Sequence, residues 1–303
     1  MPTVLITGAS GFIGGAIANR LIGRARIRSL TSHPEKNRFG DRVESFAYDF
    51  KQPATMADAF RGVDVFVNSY YVRFNYGNWT FERAVEASRE LIALARAAGV
   101  RKIVHVSVSN ASERSDLPYY SNKARIERLV SAAGPPYTIL RPAIVVGPDD
   151  ILVNNIAYFL RRLPVVTIFG RGRYRAQPVT LDGFADAAVE AVDGAYTNEI
   201  VPIAGPRDWQ FVDMVRAIRT AVGSRAAIVP SPAWFALASL KVAGVMLRDV
   251  VLTGDEIKGL TRGYLCAESP IRRGADFGDW LAAPGVAPVL GREYASELAR
   301  HFR

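Results

Sequence analysis

A single cysteine, Cys266, and three histidines leave this chain without the means for an intrachain disulfide or a Cys/His metal cluster. Such sparing cysteine use suits a reducing compartment, and a cytoplasmic location is expected. Lysine is also scarce: six of the 38 basic residues are lysine, so the net charge of +9 rests on arginine scattered along the whole length. No long basic run and no nucleic-acid motif accompanies that charge, and nucleic acid is not an expected partner. Long hydrophobic runs are missing too. The longest, residues 232–247, is interrupted by Ser239 and Lys241 and falls short of the ~20 residues of a spanning helix. It can form a helix that caps a cleft, meets a second copy of the chain or lies on a membrane surface. The N-terminus runs from Met1-Pro2-Thr3 straight into Val4-Leu5-Ile6, so no secretory leader is expected.

What is present is an ordinary globular composition: 303 residues, 49% apolar and 22% charged, enough for one large domain and a smaller one. Short β-rich runs at 4–7, 26–30, 43–48, 63–68, 102–107 and 137–141 alternate with stretches of helical spacing at 12–22, 80–98 and 121–133. In the second of these, Phe81, Val85, Leu91, Ile92 and Leu94 recur every three to four residues while Glu82, Arg83, Glu86 and Arg89 take the other side. The alternation predicts an α/β fold with a doubly wound parallel sheet covered on both faces. Residues 1–150 are expected to form that domain, with 165–205 returning to it. Residues 151–303 are expected to form a smaller, mostly helical cap that binds substrate.

The first strand opens into Gly8-Ala9-Ser10-Gly11-Phe12-Ile13-Gly14, and this spacing has a physical reading. Gly8 permits a tight turn, Gly11 lets a pyrophosphate approach the main chain, and Gly14 lets the helix pack close to the strand. The amides at the helix start, around Ser10, Phe12 and Ile13, would hold the phosphates of a dinucleotide in a Rossmann-type domain. At the tip of the second strand no carboxylate stands ready for a ribose 2′-hydroxyl. Ser32, His33 and Lys36 can instead donate to a 2′-phosphate, which favours NADP, with NAD the alternative.

After the fifth strand comes Tyr119-Tyr120-Ser121-Asn122-Lys123. Four residues apart, Tyr119 and Lys123 share a helical face, where an ammonium stabilises phenolate and suits Tyr119 to proton transfer. With Asp49 after the third strand and the stretch Arg141-Pro142-Ala143-Ile144-Val145-Val146-Gly147-Pro148, these motifs resemble the short-chain dehydrogenase/reductase superfamily. The resemblance is strongest to its extended and atypical branches, among them nucleotide-sugar epimerases, NmrA-like proteins and a complex I accessory subunit, and covers about residues 1–190. It implies that Asp49, with Phe50 beside it, meets the adenine, and that Asn68, Ser69 and Tyr70 lie under the nicotinamide ribose. It further implies that Lys123 binds ribose hydroxyls and that the backbone at Pro142 and Ala143 meets the carboxamide.

The sequence also departs from that family. The serine or threonine that polarises the substrate oxygen aligns with Val108, so Ser107 or Ser109 would have to take its place, or serve only as strand-end hydrogen bonders. His105 alternates within a buried strand and reads as a core residue. Where sugar epimerases carry an Arg-Asp-Phe stretch, this chain has Ala176-Gln177-Pro178, preceded by Arg171, Arg173 and Arg175 on a glycine-hinged loop that could hold an anion. The segment from Tyr70 to Gly77, with Tyr71 and Arg73, reads either as a pocket wall for an apolar or aromatic substrate or as packing against the helix that follows. The expectation is an NADPH-preferring oxidoreductase acting on a small carbonyl or alcohol, with Tyr119, Lys123 and Ser107 or Ser109 catalytic and Tyr71, Arg73 and Arg175 near the substrate. Two alternatives stand beside it: a redox-inert NADP-binding sensor, assembly factor or subunit, and a nucleotide-sugar epimerase or dehydratase. The resemblance also implies a homodimer built on the helices near 80–98 and 121–133.

Overall fold

Strands without a polar face must be covered on both sides, and the first strand, Thr3–Thr7 (β1), is buried at all five positions. The computed structural model describes all residues except 233, 236–237, 239–243, 245–246, 297 and 299–303. Its chain divides into two compact units, residues 1–142 with 181–203, and residues 143–180 with 204–303.

In the first unit β1 is followed by α1 (Phe12–Leu21), β2 (Arg26–Thr31), β3 (Val43–Ala47), α2 (Pro53–Phe60), β4 (Val65–Asn68), α3 (Phe81–Ala97), β5 (Lys102–Val106), α4 (Pro118–Ser131) and β6 (Tyr137–Pro142). The second unit then begins with β7 (Ile144–Val146), α5 (Ile151–Arg162), β8 (Val165–Phe169), β9 (Arg175–Ala176) and β10 (Pro178–Thr180). The chain returns to the first unit for α6 (Leu181–Val192) and β11 (Glu199–Ala204), then re-enters the second with β12 (Trp209–Gln210), α7 (Phe211–Ala221) and β13 (Ala227–Ser231).

The strands of the first unit lie in the order β11-β6-β5-β4-β1-β2-β3, each paired in parallel with its neighbour, as the alternating pattern predicts. The order reverses beside β1, and the carboxyl ends of β1 and β4 at that reversal are where such folds take ligands. The core beneath them is built from Leu5, Leu30, Phe66, Ile103 and Ile139 of the sheet and Met56, Phe60, Leu91 and Ile126 of the helices. Helix α3 buries the apolar side expected of it, and Thr80 starts it by accepting from the Arg83 amide at 3.2 Å.

Helix α4 begins three residues earlier than its apolar spacing suggests, because Pro118 takes the first helical position, where the fixed φ and missing N–H cost nothing. Tyr119 therefore stands inside the first turn. The second unit combines helices with three short strand pairs: β7 with β10 and β8 with β13 in parallel, β9 with β12 antiparallel. Its core gathers Val146, Val153, Ala157, Leu160 and Ile168 with Phe211, Met214, Val215, Ile218, Phe277 and Leu281. Most of the apolar stretch 232–247 lies outside the described residues. No helix among those described is long and apolar enough to cross a membrane.

Candidate functional site

At the carboxyl end of β1 the chain turns on Gly8, whose φ of +66° is open to glycine. The Gly8 carbonyl accepts from the Gly11 amide at 2.8 Å, and a Cβ on Gly14 would drive into that same carbonyl. The first and third glycines are thus demanded by geometry. Helix α1 starts at Gly11 with no side chain capping it, so its first-turn amides at Phe12 and Ile13 are available to an anion, with Ser10 in the turn itself. The neighbouring strand end is pinned to this turn: the Ser69 amide donates to Thr7 Oγ1 at 2.7 Å and Ser69 Oγ donates to the Thr7 carbonyl at 2.6 Å. Asn68 Oδ1 accepts from the Tyr70 amide at 3.2 Å, while its buried Nδ2 has no partner among the described residues. A bare glycine cradle at an uncapped helix start beside an orphaned amide fits the diphosphate and ribose of a dinucleotide.

Past β2, Ser32 and Lys36 are exposed, and His33 Nδ1 lies 3.1 Å from Glu35 Oε1. The residue that sequence reasoning missed is Arg38. Its guanidinium lies against α1 at Gly15, 2.0 Å from where a Cβ would stand, and over the Phe39 ring at 5.0 Å. The signal was present: Gly15 doubles Gly14 without a place in the three-glycine spacing, which marks a bare helix surface awaiting another group. Asp49 spends one carboxylate oxygen on the start of α2, accepting from the Lys51 amide at 2.9 Å and the Gln52 amide at 3.2 Å. Phe50 stacks on Tyr48 at 5.0 Å and approaches Tyr70 at 5.7 Å, and burial pushes the Tyr70 hydroxyl up to about 12.

Tyr119 and Lys123 face the sheet from α4 and meet through Tyr71. Lys123 Nζ lies 4.2 Å from the centre of the Tyr71 ring and donates to the Val106 carbonyl at 3.0 Å, while Tyr119 packs T-shaped on Tyr71 at 5.4 Å. The Tyr71 hydroxyl donates to the Tyr119 carbonyl at 3.2 Å. Burial lowers the Lys123 pKa to about 7, with the Glu127 carboxylate pulling the other way. Tyr71 stacks on Phe81 at 5.9 Å, and Val72 joins Phe81 and Ala84, so the segment that begins at Tyr70 packs on α3. Arg73 lies over Phe74 at 5.7 Å.

The two serines after β5 differ. Ser107 is buried and its hydroxyl donates to Glu127, whose carboxylate is also held by both Arg141 Nε, at 2.8 Å, and Nη2. That bond turns the Ser107 hydroxyl into a buried tie between β5, α4 and β6. Ser109 is buried, with its amide donating to the carbonyl of Pro142, which ends β6 just before Ala143. His105 is wholly buried, its Nδ1 3.1 Å from the Asn68 carbonyl, and burial together with the nearby Lys123 lowers its pKa to about 3. It is neutral at any working pH and holds strand ends together. Arg175 belongs to the second unit and is paired with Asp208, which also accepts from Gln177 at 2.9 Å and Arg272 at 3.0 Å. Among the described residues no cluster of His, Cys, Asp and Glu could hold a metal.

Residues 8–153 match the family described as NAD(P)H-binding. Subunit 9 of the NADH dehydrogenase [ubiquinone] 1 alpha subcomplex, from Arabidopsis thaliana mitochondria, is 26% identical over 213 residues, which is 66% of this chain. The chain spans about half of that relative's length, 53%. The photosystem II assembly factor Ycf39 of Cyanophora paradoxa is 22% identical over 238 residues, covering 77% of this chain and 73% of its own. Among solved structures, an NADPH-dependent quinone oxidoreductase from Escherichia coli, crystallised with NADPH, superposes with a TM-score of 0.73 at 20% identity. That alignment covers 92% of this chain and 98% of the other. The likeness in fold bears out the Rossmann-type architecture read from the sequence, and the NAD(P)H-binding match and the subunit 9 relative agree with the resemblance.

Proposed function

From the match of residues 8–153 to the NAD(P)H-binding family, we propose that the chain is an NADPH-preferring oxidoreductase of the short-chain type that reduces a small, apolar or aromatic carbonyl compound. One observation carries the reading: Tyr119 and Lys123 stand one helical turn apart in α4, joined through the Tyr71 ring, with Lys123 lowered to about 7. The quinone substrate named for the E. coli reductase supports the substrate class.

Bound NADPH would supply hydride to the carbonyl carbon. Tyr119 then delivers its phenolic proton to the carbonyl oxygen, the Lys123 ammonium offsets the phenolate that remains, and solvent restores the proton. Lys123 would also hold the ribose. Tyr71, Val72 and Phe81 keep water from that face. Arg38, with Lys36, Ser32 and His33 around it, is the group that selects a 2′-phosphate, since a guanidinium fork matches phosphate geometry. The glycine turn with Phe12 and Ile13 would bind the diphosphate, and Asp49 with Phe50 would border the adenine.

A second reading is favoured by the Ser107–Glu127 bond and by Val108, which take from the substrate oxygen the usual hydroxyl position and one of its two replacements. It is a redox-inert NADP-binding subunit or assembly factor, in keeping with the names of the two sequence relatives. The experiment titrates the protein with NADPH and NADH by tryptophan quenching, then follows NADPH consumption with simple quinones. Turnover that Tyr119→Phe abolishes, with NADPH affinity unchanged, supports the oxidoreductase. NADPH binding with no turnover on any quinone or ketone selects the inert reading.

A further inference from the structure

The arginines that the sequence sets side by side after Phe169 part company in the second unit. Arg175 turns to Asp208. Arg171 and Arg173 instead line an open cleft of about 510 Å³ with Gln210, Asp213, Arg216 and Pro230. Their backbone is fixed on the start of α7. Gly172, at φ +64°, donates to the Phe169 carbonyl at 3.1 Å and accepts from the Val212 amide at 2.9 Å, and the Tyr174 carbonyl accepts from the Phe211 amide at 3.0 Å. A Cβ at Gly172 would come within 2.6 Å of Ile168 Cδ1 and 2.9 Å of Val212 Cβ, so the loop is pressed onto the core of the unit and its two arginines stand over one opening.

The charges in the cleft do not balance. Arg216 Nη1 donates to Asp213 at 2.9 Å, one turn apart on α7, and this is the one carboxylate lining the space. Arg171 and Arg173 are exposed and make no hydrogen bond or ion pair with a described residue. A second cleft of this unit is lined by Arg161, Arg162 and Arg292. There Arg161 and Arg162 donate to the carbonyls of Ala287, Leu290, Gly291 and Arg292, and their guanidinium groups serve to hold the chain. Two guanidinium forks held over one opening, with no such employment and a third nearby, match the several oxygens and double charge of a phosphoryl group. A single carboxylate would engage one fork and leave the other. The volume leaves room for what the phosphoryl group is attached to, and Gln210 offers a neutral amide beside it.

We propose that the cleft at Arg171, Arg173 and Arg216 binds a phosphate ester or diphosphate, carried by either a soluble molecule or a lipid headgroup. The proposal is independent of the oxidoreductase reading. Its test is calorimetric titration of the full chain with inorganic pyrophosphate in saturating NADPH, so that the Gly8–Gly14 turn is already filled. One pyrophosphate per chain is expected, with affinity falling about tenfold for each guanidinium removed in R171Q and R171Q/R173Q and unchanged in R225Q, a loss of equal charge elsewhere in the unit. Sedimentation with phosphatidylglycerol vesicles, against neutral vesicles, separates the two sources. Vesicle binding lost in R171Q/R173Q assigns a headgroup, and pyrophosphate binding without vesicle binding assigns a soluble ester. Both variants keep the thermal midpoint of the parent, because neither side chain has a partner among the described residues to lose. Absence of saturable binding to both probes, or equal binding by R171Q/R173Q, overturns the proposal.

Discussion

Lys123 is buried among Val106, Tyr71 and His105, and its titration should be visible in ligand binding. At pH 8 the amine, lowered to about 7, is mostly neutral; hydrogen bonding to a ribose and the nearby phosphates favour the ammonium, so cofactor binding takes up a proton. At pH 6 the group is already charged and uptake vanishes. Calorimetry in buffers of different ionisation enthalpy measures this, and Lys123→Met should abolish the uptake at pH 8. The same group acts on stability. Between about 7 and its ordinary 10.5 the unfolded chain binds the proton that the folded chain does not, so stability rises with pH across that window, and in Lys123→Met the rise disappears. If Arg38 selects the 2′-phosphate as proposed, Arg38→Gln should weaken NADPH by about tenfold while leaving NADH nearly unchanged, the loss of one charge-assisted contact to phosphate. Equal weakening of both cofactors would place Arg38 on the diphosphate instead.

At the scale of elements, the strands and crossover helices of the first unit were legible because β-branched runs buried on both faces and a helix period of 3.6 are local signals. The start of α4 was not, since Pro118 reads as a breaker until it is seen to occupy a first helical position. Nor was the fate of Ser107 or the place of Arg38. Each depends on a partner far along the chain, Glu127 with Arg141 in one case and Gly15 in the other; the extra glycine marks a bare surface, but no spacing rule names the group that meets it. The cluster of Ser107, Glu127 and Arg141 locks α4 against β5 and β6. Glu127→Ala strands the Arg141 guanidinium, which is only 23% exposed, and should cost about 3 kcal/mol in urea unfolding. A loss near zero would mean that water replaces the carboxylate and that the cluster does not position Tyr119.

For the whole molecule, saturating NADPH should raise the thermal midpoint: a ligand at 100 times its Kd adds about 2.7 kcal/mol. NADH at the same concentration should add less, which a melting scan resolves without any substrate. The core of the second unit draws Val146, Val153, Ala157, Leu160 and Ile168 from residues 143–180, but their partners, from Phe211 to Leu281, lie beyond residue 204. At ~5–20 residues per second the earlier segment emerges from the ribosome and waits several seconds or longer for those partners, through which its apolar side chains are open to any chaperone or neighbouring nascent chain. The first unit, too, closes its sheet with β11 only after that segment has passed, so both units reach their native cores late in translation rather than one after the other.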